Sequence, residues 1–519
     1  MPYRDIGEFI EDLEKEGELH RIKPEVSPDL EISEIADRIV KEENGASKAL
    51  LFEKVKGSKY PLLINTFGSQ KRMRLALDDR DPRVIGEEVV ALVKSEMPRG
   101  IVEKMKSLSK LREILSYPPK PVSRGDCQEI EEKPDLGKLP VIKCWPMDAG
   151  RYITFPLVFT HDPESGDRNC GVYRMQVYDS TTCAMHWQIH KHGAGHYHKA
   201  KRLGKKLEVA VVVGSDPATM FSGVAPTPEG LDEMLLAGFI RKKGVEMVGC
   251  KTIDVEVPAN SEFVLEGFVD PNERLRVEGP FGDHTGHYSL AEPFPVFHAT
   301  HMTRKESPVY VTTIVGVPPQ EDAFLGKAIE RMFLPLIQLT VPEVVDINLP
   351  VEGGFNNLAV VSIRKRYPGQ ARKVMVNLWG LGQLMFTKVI IVLDDDVNVH
   401  DMSEVLWATL ARMDPKRDMM FLDSFPTDTL DHASPLPNLG SHVGIDATAK
   451  TKGEGFEREW PPVIRMDEAT KALVEKRWKD YGFDGAAAES TSSDPAPRRS
   501  GWGWKRRGEA KKNHNGEKK

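Results

Sequence analysis

The spacing of apolar residues changes period twice along the chain, and this constrains the fold more than any other feature of the sequence. Residues 1–115 mix the two periods. Ile6, Phe9, Ile10 and Leu13 recur at helical spacing and residues 29–41 repeat it; residues 50–55 and 61–67 read as strands and 81–97 as a helix. Residues 139–319 read almost wholly as strands: 154–160, 171–178, 183–190, 207–213, 251–257, 262–269, 296–303 and 308–315. One helical stretch, 230–242, interrupts them. Residues 323–481 return to strand–helix–strand units (358–363, 370–386, 388–393, 401–413, 419–423), which imply a largely parallel sheet. The expected class is an α+β multidomain chain. Its parts are an N-terminal α/β domain (1–116), a central β-barrel or sandwich domain (117–322) and a C-terminal α/β domain (323–483).

Residues 484–519 change composition to Ala, Ser, Pro, Gly and Lys/Arg and are expected to be disordered. They also hide a charge asymmetry. The 519 residues sum to −7, but residues 498–519 hold nine Lys/Arg against two Glu, a local +7. The remainder carries 62 basic and 76 acidic residues, or −14. An acidic body argues against a nucleic-acid enzyme. The basic tail, with Trp502 and Trp504, allows peripheral contact with an acidic membrane surface. Five cysteines without a CxxC pair suit a reducing compartment. The acidic, amphipathic residues 1–17 lack a signal-peptide h-region, so a cytoplasmic location is expected.

Four segments can carry chemistry, the last being Lys388 ahead of residues 389–393 with Asp394-Asp395-Asp396 at the strand end, a triplet that more often caps the next helix than binds metal. Residues 186–198 hold His186, His190, His192, His196 and His198; on a strand 186, 190 and 192 share a face, which suits a metal, although most such histidines are structural. Residues 169–176 place Arg174 inside an apolar β region, where a buried guanidinium requires a partner. In Glu278-Gly-Pro-Phe-Gly-Asp283, two carboxylates flank a turn. They can face one cavity with their proton affinities pushed apart, or stand solvated on a loop. No P-loop, HExxH or GxSxG motif is present.

Taken in order, Asn169-Cys-Gly-Val-Tyr-Arg174, Glu278-Gly-Pro-Phe-Gly-Asp283-His-Thr-Gly, Asp395-Asp-Val-Asn-Val through Arg412-Met-Asp-Pro, and Ala433-Ser-Pro through Gly444-Ile-Asp-Ala-Thr resemble the UbiD family of reversible, non-oxidative (de)carboxylases. The resemblance spans residues 1–481. It implies that the central domain is a split β-barrel like those of flavin reductases. It also implies prenylated FMN supplied by a flavin prenyltransferase, a divalent metal (usually Mn²⁺) with K⁺ beside it, and a homodimer or larger homo-oligomer. Asn169, His192 and Glu233 match metal ligands. Val172, Tyr173, Arg174, His186, Trp187, Gln188, Lys191, His192 and Lys388 match positions around the flavin. Arg174, Glu278 and Asp283 match the catalytic network, with Asp283 as proton donor.

The implied substrates are an aromatic, hydroxybenzoate-like acid or an α,β-unsaturated acid, with CO₂ as the other product. Asp rather than Glu at 283 resembles the hydroxybenzoate-acting branch. His186 and Lys191 depart from arginines common in the family, and His190, His196 and His198 are expected to be structural. Two other readings are a polyprenyl-hydroxybenzoate decarboxylase of ubiquinone or menaquinone biosynthesis and a non-catalytic flavin-binding protein. A metallohydrolase built on the histidines is a third.

Overall fold

The computed structural model describes residues 2–42, 47–94, 116–227, 230–355 and 357–483. The expected disordered tail and the end of the 81–97 helix lie outside them. The chain divides into two compact units; one runs to Pro335 and includes Asp428–Ser434, and the other is Leu336–Thr427 continuing from Pro435.

The first unit opens with helix Ile6–Lys15. Asp5 caps it by accepting from Glu8 N at 2.9 Å, and Ile6, Phe9, Ile10 and Leu13 are its buried stripe. A four-stranded sheet follows in the order Leu19–Val26, Ala49–Val55, Leu62–Ile64, Tyr310–Val311. Leu19–Val26 was not expected, because it exposes most of both faces and shows no alternation. The 308–315 strand shrinks to Tyr310–Val311 and pairs in parallel with Leu62–Ile64, so it belongs to this sheet rather than to the central one.

The central sheet has seven strands. Its order is Thr182–Ala184, Val296–Arg304, Phe263–Val269, Leu207–Val213, Pro156–His161, Arg168–Val172, with Ile130–Glu132 also on Val296–Arg304. Every pairing is antiparallel. Both faces are covered, which is why these strands read as continuous apolar runs. In Leu207–Val213, Val209, Val211 and Val213 enter one core with Val158, while Ala210 and Val212 enter another with Leu157 and Phe159.

The expected strand 183–190 ends at Ala184, and residues 192–203 form a helix, His192–Leu203, closed by left-handed Gly204. Ala194, Tyr197 and Ala200 supply its buried face. The strand parity that would align His186, His190 and His192 therefore does not exist. His190 and His198 are exposed, and His196 is buried with Nδ1 2.9 Å from Thr160 Oγ1.

The second unit holds a five-stranded sheet: Val344–Asn348, Leu358–Ile363, Val389–Asp394, Leu439–Asp446, Met419–Pro426. Only the middle three strands are parallel; both edges are antiparallel. The expected 370–386 helix stops at Trp379, and residues Gly382–Phe386 form a 3₁₀ turn. Among the described residues no helix is long and apolar enough to cross a membrane.

Candidate active site

Arg174 follows strand Arg168–Val172 and immediately precedes the short strand Met175–Gln176. Glu278 ends strand Arg276–Glu278, and the turn beyond it begins at Gly279, whose φ of 93° suits glycine. The turn brings Asp283 back to the same guanidinium. Arg174 Nε donates to Glu278 Oε1 at 2.9 Å, Nη2 donates to Oε2 at 3.2 Å, and Nη1 donates to Asp283 Oδ2. Nη2 also reaches Ser289 Oγ at 3.3 Å, and the Phe281 ring lies 4.8 Å from the guanidinium carbon. Glu278 is fully buried and Asp283 nearly so.

Burial works against both negative charges, yet both carboxyls sit below their usual range. His186 and Arg174 outweigh burial at Glu278; Arg174 and His284 do so at Asp283. His186 Nδ1 lies 3.0 Å from Glu278 Oε2, and burial, then Arg174, push this imidazole toward its neutral form. The site therefore holds one guanidinium, two carboxylates and the neutral His186 imidazole that donates from Nδ1, with the His284 ring on the far side of Asp283.

A second group surrounds Asn169. Glu233 is buried at the start of helix Glu233–Arg241, and its carboxylate is held by two neutral donors, Cys170 N at 2.9 Å and the Thr227 hydroxyl. Burial raises its proton affinity. Asn169 Nδ2 is buried without a partner. Tyr173 lies beside Asn169, and its hydroxyl accepts from Gly193 N at 3.3 Å, next to His192. Tyr173 thus links Asn169, one residue from the Cys170–Glu233 contact, to the helix start that carries His192. His186 Nε2 and Trp187 Nε1 are likewise buried without partners. Gln188 accepts from Lys191 N at 3.0 Å, and Lys191 stands at the N-cap of helix His192–Leu203, whose first turn has no side-chain cap. Among the described residues no three His, Cys, Asp or Glu side chains gather where they could hold a metal.

Three family models cover most of the chain. The N-terminal, Rift-related and C-terminal domains of 3-octaprenyl-4-hydroxybenzoate carboxy-lyase match residues 10–93, 120–318 and 323–447. The chain belongs to the UbiD family. It is a carboxy-lyase of mixed α/β, multidomain architecture. An uncharacterized protein of Archaeoglobus fulgidus is 53% identical over 481 residues, 92% of this chain and 99% of its own. The vanillic acid decarboxylase of Sedimentibacter hydroxybenzoicus in closed form is 27% identical at a TM-score of 0.81, covering 93% of this chain and 100% of that one. An evolved dimeric form of the UbiD-class enzyme HmfF of Pelotomaculum thermopropionicum, in complex with prFMN, is 30% identical at a TM-score of 0.71, covering 89% and 97%.

Of the residues singled out in this UbiD-family chain, Arg174, Glu278, Asp283 and His186 share one hydrogen-bonded cluster. Tyr173 stands between Asn169 and the start of the 192–203 helix, and Glu233 holds the N–H of Cys170, the residue after Asn169. Val172 is half-buried and donates its N–H to Gly223 O at 3.2 Å. Lys388 stands in the other compact unit, just ahead of strand Val389–Asp394, and its carbonyl accepts from Val443 N at 2.9 Å.

Asp148, a lone acid in a Pro/Gly-rich turn, belongs to no motif that would mark it. It is buried, and Oδ1 accepts from Gly282 N at 2.8 Å while Oδ2 accepts from Trp145 N and Cys144 N at 2.8 and 3.1 Å. Asp148 thereby pins the backbone next to Asp283. Gly282 must be glycine here, since a Cβ would sit 2.3 Å from the Trp145 ring. Asp148→Ala leaves three N–H groups without acceptors, so a loss of about 2–3 kcal/mol is expected in denaturant or thermal unfolding. Asp148→Asn, which keeps one acceptor oxygen, should lose less.

Proposed function

We propose that this carboxy-lyase reversibly and non-oxidatively removes CO₂ from an aromatic, hydroxybenzoate-like acid or an α,β-unsaturated acid, using prFMN and a divalent metal. The observation that carries the proposal is the buried Arg174 bridging Glu278 and Asp283. The likeness to a vanillic acid decarboxylase supports the aromatic class.

The residues fit the cofactor and metal. Glu233 is a buried carboxylate held by neutral donors, so a dication there supplies the missing positive charge. An Asn, a carboxylate and the nearby His192 form a donor set suited to Mn²⁺, with K⁺ proposed alongside. The partnerless His186 Nε2 and Trp187 Nε1 can meet polar groups of a flavin, together with Val172, Tyr173 and Gln188. Lys191 and the uncapped first turn of helix His192–Leu203 suit its phosphate. The antiparallel central sheet, buried on both faces, supports its reading as a split β-barrel.

Losing CO₂ from an sp² carbon strands an electron pair that no side chain can delocalise; bound prFMN supplies that sink. The chain's own residues do the rest. Arg174 orients the substrate carboxylate while keeping Glu278 ionised. Glu278, steadied by His186, fixes the guanidinium. Asp283 delivers a proton to the carbon that CO₂ has left. A homodimer or larger homo-oligomer, a cytoplasmic location and a flavin prenyltransferase as supplier complete the proposal.

The full chain coproduced with a flavin prenyltransferase should retain prFMN and Mn²⁺, and should decarboxylate members of a panel of benzoates, cinnamates and heteroaromatic acids. Glu233→Ala should lose metal and flavin together in elemental analysis and absorbance. Purification of wild-type protein with no modified flavin would sink the reading.

A further inference from the structure

Each decarboxylation consumes one proton, and Asp283 is poorly placed to hold it in reserve. Its Oδ2 accepts from Arg174 Nη1, and its Oδ1 accepts from the backbone N–H of His284 at 2.7 Å. The His284 Nδ1 lies 3.1 Å from the same Oδ1. An ionised carboxylate can only accept, so Nδ1 carries the hydrogen of that contact. Burial works against a charged imidazole, but Asp283, then Asp428 and Asp322, all negative, face His284 and push its proton affinity up to about 9. The resting proton therefore sits on the imidazole. The His284 side chain is also the more open of the two, 17% exposed against 9% for Asp283. It can trade protons with water where Asp283 is nearly closed off.

We propose that His284 is the proton relay of this site, reloading Asp283 once per turnover. The proposal rests on Asp283 as the proton donor. When the substrate carboxylate shares the charge of Arg174, the counter-charge on Asp283 weakens and its proton affinity rises. The Nδ1–H bond of His284 then breaks and an O–H bond forms on Asp283 Oδ1. The ring is left neutral with its hydrogen on Nε2, and a proton from water restores Nδ1–H. Asp283 passes its own proton to carbon. One proton enters from solvent and one leaves in the product.

The His284–Asp283 pair contributes fully to stability below the ordinary imidazole value of 6.5, and that contribution is lost as pH rises through about 9. The relay itself loses its proton as pH passes about 9.

Full-length protein labelled with ¹⁵N-histidine provides a test that needs no turnover. One imidazole signal, identified by its loss in His284→Gln, should titrate near pH 9, and in Asp283→Asn it should fall below 6.5. A wild-type His284 that titrates at or below 6.5 overturns the relay. In prFMN-loaded enzyme turning over an acid found in the panel above, His284→Gln should lower kcat about 100-fold with KM little changed, and should erase the loss of rate above about pH 9. Added imidazole should rescue His284→Ala and not Asp283→Asn. Unchanged kcat in His284→Gln also overturns it. If wild-type protein binds no prFMN, the decarboxylase reading fails, while the titration still decides whether His284 holds the proton.

Discussion

Arg174→Ala is expected to abolish decarboxylation, by about 10³-fold or more, and to destabilise the fold by about 3–5 kcal/mol. The guanidinium is the common donor to Glu278 and Asp283, both buried. Its removal leaves Glu278 without a counter-charge and Asp283 with His284 alone, so a carboxyl must take up a proton or the turn between them must open. A carboxylate buried alone costs far more than the pair gains from being formed, which is why the loss exceeds that of a surface ion pair. Arg174→Lys separates the two effects. An ammonium restores a positive charge but cannot make the two parallel bonds to Glu278 while also reaching Asp283. Its unfolding midpoint should recover in part while its rate does not. Wild-type rate and stability in Arg174→Ala would show that the bridge is not the centre of the site.

Glu278→Gln and Asp283→Asn are expected to lower turnover by about 10²–10⁴-fold each, with prFMN and metal occupancy unchanged. Both replacements keep the shape and remove the charge. At Glu278, two Arg174 N–H groups and the His186 Nδ1–H converge on the carboxylate, so an amide NH₂ must face at least one other donor. At Asp283, an amide can accept from Arg174 but cannot carry the mobile proton. Rates, absorbance of bound flavin and metal content measured on the same preparations make the comparison. A flavin-binding protein without catalysis would show no change in any of them.

Much of the fold was legible because its strands are extreme. Residues 207–213, apolar at six of seven positions, can only be a strand covered on both faces. What escaped detection did so for physical reasons. Leu19–Val26 is held by parallel pairing to Ala49–Val55 and buries only Val26, so its sequence carries no periodic signal. Helix His192–Leu203 contains two glycines and three histidines, and its helical state comes from packing rather than propensity. At the site, Arg174 and Glu278 are 104 positions apart, and neither residue alone distinguishes a buried partner from a solvated charge. Resemblance to a family nominated them; periodicity could not. Asp148 shows the remaining limit, because three converging N–H groups are a property of the folded turn and leave no trace in the string.

The two-residue strand Tyr310–Val311 has a consequence for the order in which the chain can be made. It forms an edge of the first sheet, yet its partner Leu62–Ile64 emerges from the ribosome some 250 residues earlier. At about 5–20 residues per second, that partner waits on the order of ten seconds or more with its edge unpaired. The N-terminal sheet is thus begun first and finished late, and the antiparallel centre is synthesised inside that interval. A nascent chain of this kind carries an open, apolar strand edge through nearly half of its translation, the state that most needs shielding from neighbouring chains.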